Sequence, residues 1–362
     1  MGEPHGIGIV GLGVISRQYL DTLATHPGVR IVATGDLDRA RAEAVASGIP
    51  GCRALSVDEL VADPEVQTVI NLTIPAAHAE VALAALAAGT DVFGEKPLAA
   101  TLPDARRVLA ATGPAWAGSA PDTVLGTGIQ TARAVVDAGG IGRPVSAVAT
   151  WVSSGHEAWH PHPDFYYRDG GGPLLDMGPY YLTTLFHLLG PVARVFGASS
   201  RPRAVRTIGS GPRAGEEIPV EIDTHVTGVL EHTGGAVSTV TFSFDAAGTD
   251  AAPLEIHGET GTLSVPDPNG FGGEVRVRRP RDPQWAPVDE RAGYEDAGRG
   301  IGVIDHLRTG SGRASGEVAL HVLEIMTALG ESARSGQRID LTTAPERPPL
   351  VPFTPAAEWR SA

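Results

Sequence analysis

The first apolar run, residues 7–10, breaks at Gly11-Leu12-Gly13 and yields to a helical repeat over 14–24. A second β-type run at 29–34 ends in Gly35-Asp36. A helical pattern follows over 38–47, with Gly48 as its stop. Ser56-x-x-Glu59 has the form of a capping box and opens a short helix. Residues 68–72 read as a strand. Residues 75–88 read as a helix, with Pro75 near its start and Gly89 just past its end. Strands at 91–94 and 115–117 flank a helical stretch at 101–111. Alternation of this kind predicts a parallel sheet covered by helices.

The pattern changes near 119–122. Residues 126–138 read as helix and 145–152 as strand. A loop rich in aromatics and histidines follows over 155–168. Gly170-Gly171-Gly172 then leads into a helix running to about 189, on which Asp176, Tyr180, Thr184 and His187 share a face. Residues 192–278 read mostly as strands, with a hairpin at His232-Thr233-Gly234-Gly235. Residues 316–335 are a last strong helix, and the Pro-rich end reads as a surface tail. The fold class is α/β. The expected division is a Rossmann dinucleotide-binding domain over 1–122, a second α/β domain over 123–345 and a tail over 346–362.

Composition narrows the function classes. The chain of 362 residues carries 28 basic and 42 acidic side chains, for a net charge of −14. That balance argues against nucleic acid as a partner, because neutralising phosphates needs basic patches. It argues equally against an anionic membrane surface. One cysteine, Cys52, excludes an intrachain disulfide and a cysteine-rich metal site. No run of about 20 apolar residues could span a bilayer, and residues 1–5 lack the pattern of a secretory signal. A cytoplasmic protein is the expectation. Of the basic residues, all but Lys96 are arginine. A lone lysine in such a chain marks a place where a compact ammonium is wanted and a guanidinium fails.

The glycines carry the first chemistry. Gly11-x-Gly13-x-x-Ser16 directly follows a strand and opens a helix. A dinucleotide pyrophosphate needs that tight turn, a backbone without Cβ beside it and the positive end of a helix. Val14 and Ile15 belong to the same cofactor-binding turn. Asp36 lies 20 residues beyond Ser16, where a ribose-binding acid belongs. A carboxylate there bonds the 2′-OH and repels a 2′-phosphate, which favours NAD over NADP. Arg39 is close enough in sequence to offset part of that repulsion.

Ligands in open α/β sheets bind beyond the carboxyl ends of the strands. Glu95-Lys96-Pro97 sits there after the strand at 91–94. Asn71, Thr73 and Pro75 sit at the equivalent end of the preceding strand, with His78 in the next helical turn. In this order and spacing, Gly11-Leu12-Gly13, Asn71-x-x-x-Pro75-x-x-His78 and Glu95-Lys96-Pro97 resemble the Gfo/Idh/MocA family. The resemblance implies a second domain with a large, mostly antiparallel sheet for substrate binding and oligomerisation, and a homodimer or homotetramer. It also implies NAD(P)-dependent redox chemistry at a sugar or cyclitol hydroxyl. The cofactor set is then Gly11, Gly13, Val14, Ile15, Asp36, Asn71, Thr73, Pro75, His78, Glu95 and Lys96.

The segment Gly170-Gly171-Gly172-x-x-x-Asp176-x-Gly178-x-Tyr180 resembles the family's second signature. There the Asp contacts substrate, and a His usually stands where this chain has Tyr180. Lys96, Asp176 and Tyr180 are the expected catalytic set. Lys96 would stabilise the developing alkoxide, and Asp176 would fix the neighbouring hydroxyl and hold the Lys96 ammonium. Tyr180 would be the general acid/base, with a nearby cation lowering its pKa from about 10. His160 is the alternative base. Trp159 with Tyr166 or Tyr167 would cover an apolar sugar face, and His160 or His162 would bond hydroxyls.

His156-Glu157-Ala158-Trp159-His160 matches the zinc-protease pattern H-E-x-x-H. That chemistry needs both histidines on one helix face. Pro161 and Pro163 follow at once and disfavour helix before them, so no metal is expected. Two rival activities fit the same residues: an NAD-dependent glycoside hydrolase of this fold, and a non-catalytic dinucleotide- or sugar-binding protein.

Overall fold

The computed structural model describes residues 3–361. The chain divides into two compact units. One comprises residues 1–127, 291–320 and 349–362, and the other residues 128–290 and 321–348.

The first unit alternates β1 (His5–Val10), α1 (Ser16–Leu23), β2 (Val29–Gly35), α2 (Arg39–Ser47), β3 (Arg53–Ala54), α3 (Val57–Val61), β4 (Thr68–Asn71), α4 (Pro75–Ala87), β5 (Asp91–Gly94), α5 (Leu102–Ala110) and β6 (Ala117–Ser119). All six strands are parallel, in the order β3-β2-β1-β4-β5-β6. The order reverses beside β1, which leaves a crevice at the carboxyl ends of β1 and β4. Residues 6–10 and all of β4 are buried at every position, the mark of strands covered on both faces. Ser56 and Glu59 form the expected capping box at the start of α3.

The second unit is built on α6 (Thr127–Asp137), β7 (Pro144–Val152), α7 (Pro173–Leu189), β8 (Val192–Ser200), a small β9 (Val205–Thr207) and β10 (Glu217–Pro219) pair, β11 (His225–His232), β12 (Val237–Ser243), β13 (Leu254–Gly258), β14 (Thr262–Val265), β15 (Val275–Arg278) and β16 (Ala286–Val288). Three further elements follow: α8 (Ile301–Thr309) in the first unit, α9 (Gly316–Ser335), and β17 (Ile339–Asp340) in the second. Nine strands form one sheet in the order β16-β15-β14-β13-β7-β12-β11-β8-β17. Only β7 and β12 pair in parallel, so the sheet is mixed but mostly antiparallel. Burial alternates along β11 and β12, as in a sheet with one covered face. Helix α7 lies against β7, β11 and β12 on the covered side.

Two expectations are corrected. The second domain is not a single stretch over 123–345, because residues 291–320 return to the first unit. The segment 346–362 is not a tail: it ends in α10 (Ala356–Trp359), and Trp359 is buried. The Trp359 ring stacks on His26, its Nε1–H donates to the Glu295 carbonyl at 2.8 Å, and His26 Nε2 lies 2.7 Å from the Trp359 carbonyl. Glycine and proline punctuation made this stretch read as a surface segment, whereas one large aromatic anchors it.

Candidate active site

The turn after β1 is shaped for a close ligand. Gly11 has φ +88°, and a Cβ there would lie 2.6 Å from the Leu72 carbonyl carbon. Only glycine fits between the ends of β1 and β4 at that point. A Cβ on Gly13 would meet nothing within 4 Å, so its exposed backbone faces open space. Next to this turn is a cleft of about 630 Å³, bounded by Gly11, Gly13, Asp36, Leu37, Thr73 and Ile74 among others. Leu37 is fully exposed and Ile74 is 70% exposed. Apolar side chains left bare on two walls of a cleft are what a flat heterocycle such as adenine covers. Val14, 96% exposed, and the half-buried Ile15 continue the turn.

Asp36 accepts the Leu12 N–H at 2.7 Å and the Asp38 N–H at 2.8 Å. Burial raises its pKa, but those two N–H groups and the Arg41 guanidinium outweigh it and hold the carboxyl below its ordinary value. The neighbouring cation is Arg41, 3.4 Å away, and not Arg39, which pairs instead with Glu43 at 3.0 Å. The small-residue turn, the cleft and the acid together fit a dinucleotide.

Three residues of the expected cofactor set shape the loops after β4 and β5. Asn71 is buried; its Nδ2 donates to the His78 carbonyl at 2.9 Å, and its Oδ1 accepts from Thr73 Oγ1 at 2.6 Å. His78 is also buried, with its ring nitrogens 2.7 Å from the Pro97 carbonyl and 3.0 Å from the Thr73 carbonyl. It therefore ties the loop after β4 to the loop after β5. Pro75 is the first residue of α4.

Lys96 lies two residues beyond β5 and is half-buried. Glu95 beneath it accepts Tyr19 Oη at 2.7 Å and the Lys96 backbone N–H at 3.2 Å. Burial and the Glu95 charge push the Tyr19 hydroxyl well above its ordinary value. Asp122, wholly buried just past β6, accepts the Gly300 and Gly302 N–H groups at 2.8 and 3.1 Å. Burial lifts its pKa to about 6 against the opposing Arg299 charge.

In the second unit, Asp176 stands in the first turn of α7, where the helix N-terminus favours a carboxylate. Tyr180 lies one turn on and is buried. Sequence reasoning missed one partner of Asp176, His156: its Nε2 is 2.9 Å from Asp176 Oδ2. Thr184 and His187, expected on the same face, lie deeper in the core. Burial together with Arg133 and Arg347 holds His187 down at about 3.

The loop over 155–168 separates into an outer and an inner set. Trp159 is 58% exposed and Phe165 54%, with His160 and Tyr166 half-buried beside them. His160 sits edge-on to Trp159, Phe165 and Tyr166 at 5.4–5.7 Å between ring centres. Burial lowers the pKa of His160. Tyr167 is corrected: it is wholly buried with Ile208, Ile218, Val220 and Phe244, and its hydroxyl donates to Glu157. Glu157 is also taken by Arg206 at 2.8 Å, and Arg206 reaches Asp245 at 2.5 Å. The H-E-x-x-H segment forms only a short 3₁₀ turn over His156–Ala158, with its Glu committed to the core. Among the described residues no group of three or more His, Cys, Asp or Glu could hold a metal ion. None of the described helices is long and apolar enough to cross a membrane.

Comparison with known proteins agrees with this architecture. Residues 5–113 match the model of an oxidoreductase family with an NAD-binding Rossmann fold, and residues 129–264 match the GFO/IDH/MocA C-terminal domain. The two together span more than half of the chain. A 1,5-anhydro-D-fructose reductase from Ensifer adhaerens is 28% identical over 355 residues, covering 93% of this chain and 98% of the relative. An inositol 2-dehydrogenase from Agrobacterium fabrum is 42% identical over 106 residues, which is 28% of this chain and 32% of the relative. An NAD-binding oxidoreductase from Klebsiella pneumoniae superposes with a TM-score of 0.81 at 24% identity, over 94% of this chain and 100% of that one. Levoglucosan dehydrogenase in complex with NADH and levoglucosan superposes with a TM-score of 0.77 at 20% identity, over 93% and 99%. The chain belongs to the GFO/IDH/MocA family of oxidoreductases, with the family's NAD-binding Rossmann fold at its N-terminal end.

Proposed function

We propose that the protein moves a hydride between NAD and a secondary hydroxyl of a sugar, sugar derivative or cyclitol. The observation that carries this reading is Lys96, the chain's single lysine, standing just beyond β5 in a Glu-Lys-Pro motif. Its relatives named above act, by name, on an anhydro sugar and on inositol.

Bound NAD supplies the hydride acceptor, and the rest of the chemistry falls to the chain. Lys96 donates a hydrogen bond to the reacting oxygen and stabilises the charge that builds there. Tyr180 takes the hydroxyl proton or returns it. Asp176 accepts a bond from the neighbouring hydroxyl, which fixes the ring and makes transfer largely a matter of orientation. Trp159, with its exposed face, covers the apolar side of the ring, and His160 bonds a hydroxyl. Asp36 favours NAD, while Arg41 beside it leaves NADP a weaker alternative.

We infer a homodimer or homotetramer from the uncovered face of the nine-stranded sheet. Phe196 on β8 and Val229 on β11 pair directly, and Val148 on β7 stands in the same row beyond Thr239 of β12, all three apolar side chains at least 36% exposed. A second copy of the chain would bury that row. Sedimentation of the protein and of a Val229→Arg variant tests this, and a monomeric wild type would overturn it.

The deciding experiment follows reduced-nicotinamide absorbance over a panel of sugars and cyclitols with NAD and NADP. Turnover with at least one polyol is expected. Tight NADH binding with no turnover would leave a binding protein instead. Glycosidic cleavage without net reduction would make it a hydrolase.

A further inference from the structure

In the sequence His156 belongs only to an H-E-x-x-H segment that its following prolines keep from a helix. In the structure it is 92% buried, being 8% exposed, and the rings of Tyr166, Phe244, Trp159 and Trp151 surround it at 4.4, 4.8, 5.2 and 5.9 Å. A cage of four aromatic rings is the natural place for a fifth ring such as Phe. An imidazole there needs a polar reason. Its Nε2 has one, Asp176 Oδ2 at 2.9 Å, whereas its Nδ1 is buried with no hydrogen-bond partner. A buried polar atom left unmatched calls for an explanation. Here the ring accepts that loss in order to present Nε2–H to a carboxylate, which can only accept.

The backbone holds this aim. Gly155 has φ +104°, and a Cβ there would fall 2.2 Å from Glu157 Oε2 and 2.6 Å from Tyr167 Oη. The next residue along, Glu157, is fastened by Arg206 in the core. Adjacent side chains thus point to different tasks, Glu157 anchoring the loop and His156 meeting Asp176.

We propose that His156, reaching in from the 155–168 loop, is the positioning residue for Asp176. The proposal deepens the reading given under Proposed function and rests on it. Through Nε2–H it holds the Asp176 carboxylate in one orientation, so that the carboxylate meets a substrate hydroxyl without first reorganising.

Two variants and one spectroscopic signature test this. His156→Phe fills the cage and removes the donor. His156→Gln keeps an N–H donor near the Nε2 position. Both should retain the wild-type NADH affinity. On the best polyol from the screen, His156→Phe should lose kcat/KM on the order of 100-fold, and His156→Gln should recover most of that loss. In imidazole ¹⁵N spectra, the resonances missing from His156→Phe identify the residue. They should show Nε2 protonated in the wild type and should shift in Asp176→Asn. The proposal is overturned by a His156→Phe enzyme within twofold of wild type, by Gln and Phe variants equally impaired, or by a ring protonated on Nδ1 and indifferent to Asp176→Asn. If no polyol is turned over, the redox reading fails, while the ¹⁵N spectra still decide the Asp–His pair.

Discussion

The Asp36 carboxylate accepts the Leu12 N–H at 2.7 Å, which ties the end of β2 to the glycine turn after β1. The acid that would bind a ribose is therefore also a brace for the turn that would bind the pyrophosphate. Asp36→Ser should weaken NADH binding by about 1.5–3 kcal/mol, or about 10- to 150-fold, the worth of a charged hydrogen bond. NADPH should lose less, because the repelling carboxylate is gone and Arg41 remains 3.4 Å from that position. Fluorescence titration of both cofactors measures the ratio. An unchanged NADH affinity would remove Asp36 from the site.

Lys96→Met should lower kcat by about 10²–10³, the usual loss when one donor to a developing oxyanion is removed. Lys96→Arg should not restore it, since a planar fork cannot occupy the same point. Melting temperature should stay near wild type in both, and NADH affinity should fall far less than kcat. Tyr180→Phe should reduce turnover by about 10²–10⁴ if the phenol carries the proton, again with little change in cofactor binding. Steady-state kinetics beside NADH titration separates these effects, and a fully active Lys96→Met would end the scheme.

Local signals made the first unit readable. Each strand, glycine turn and cap there is decided within a few residues, as the Ser56–Glu59 box and Gly11 illustrate. What escaped depends on phase or on distance. Arg41 rather than Arg39 meets Asp36 because α2 begins at Arg39, a detail of one residue. Tyr166 and Tyr167 are adjacent in a 3₁₀ turn and both pack towards Phe244, Tyr167 wholly buried and Tyr166 half-buried, so composition could not say which was core. His156 and Asp176 stand 20 residues apart on different elements, and no periodicity links them. The returning segments 291–320 and 349–362 belong to the first unit through long-range contacts that leave no local pattern.

Trp359 shows what that last failure conceals. It is a large aromatic at 2% exposure, held by Glu295 and stacked on His26. Trp359→Ala should cost about 3–5 kcal/mol, far more than a change in a surface tail. Urea denaturation gives the number, and a loss below 1 kcal/mol would return the segment to that status.

Arg206 is 1% exposed in its side chain and neutralises both Glu157 and Asp245. Arg206→Met would leave the buried Glu157 carboxylate without a cation and Asp245 with Arg203 alone, 3.9 Å away. Breaking a buried pair from one side costs about 3–5 kcal/mol. Because Glu157 fastens the loop that carries His156 and Trp159, proteolysis within 155–168 should quicken by more than the global loss explains. Equal protection of that loop in wild type and variant would show that Arg206 serves stability alone.

Asp122 makes stability depend on pH in an unusual direction. Its pKa is about 6 in the folded protein against 3.8 when unfolded. Between those values the native state holds more protons, so stability falls as pH rises from about 4 to about 6 and is flat above. A shift of about two units corresponds to about 3 kcal/mol. Asp122→Asn keeps an oxygen for the Gly300 and Gly302 N–H groups but cannot ionise. His187 at about 3 and His321 at about 4 act the opposite way, since burial disfavours their charge and stability is lost as pH falls below about 6.5. Those contributions are common to both proteins and cancel in the difference. Asp122→Asn should therefore gain on wild type by about 3 kcal/mol between pH 4 and pH 7. Denaturant unfolding across that range reads the gap directly, and a difference that stays constant would mean that Asp122 does not titrate there.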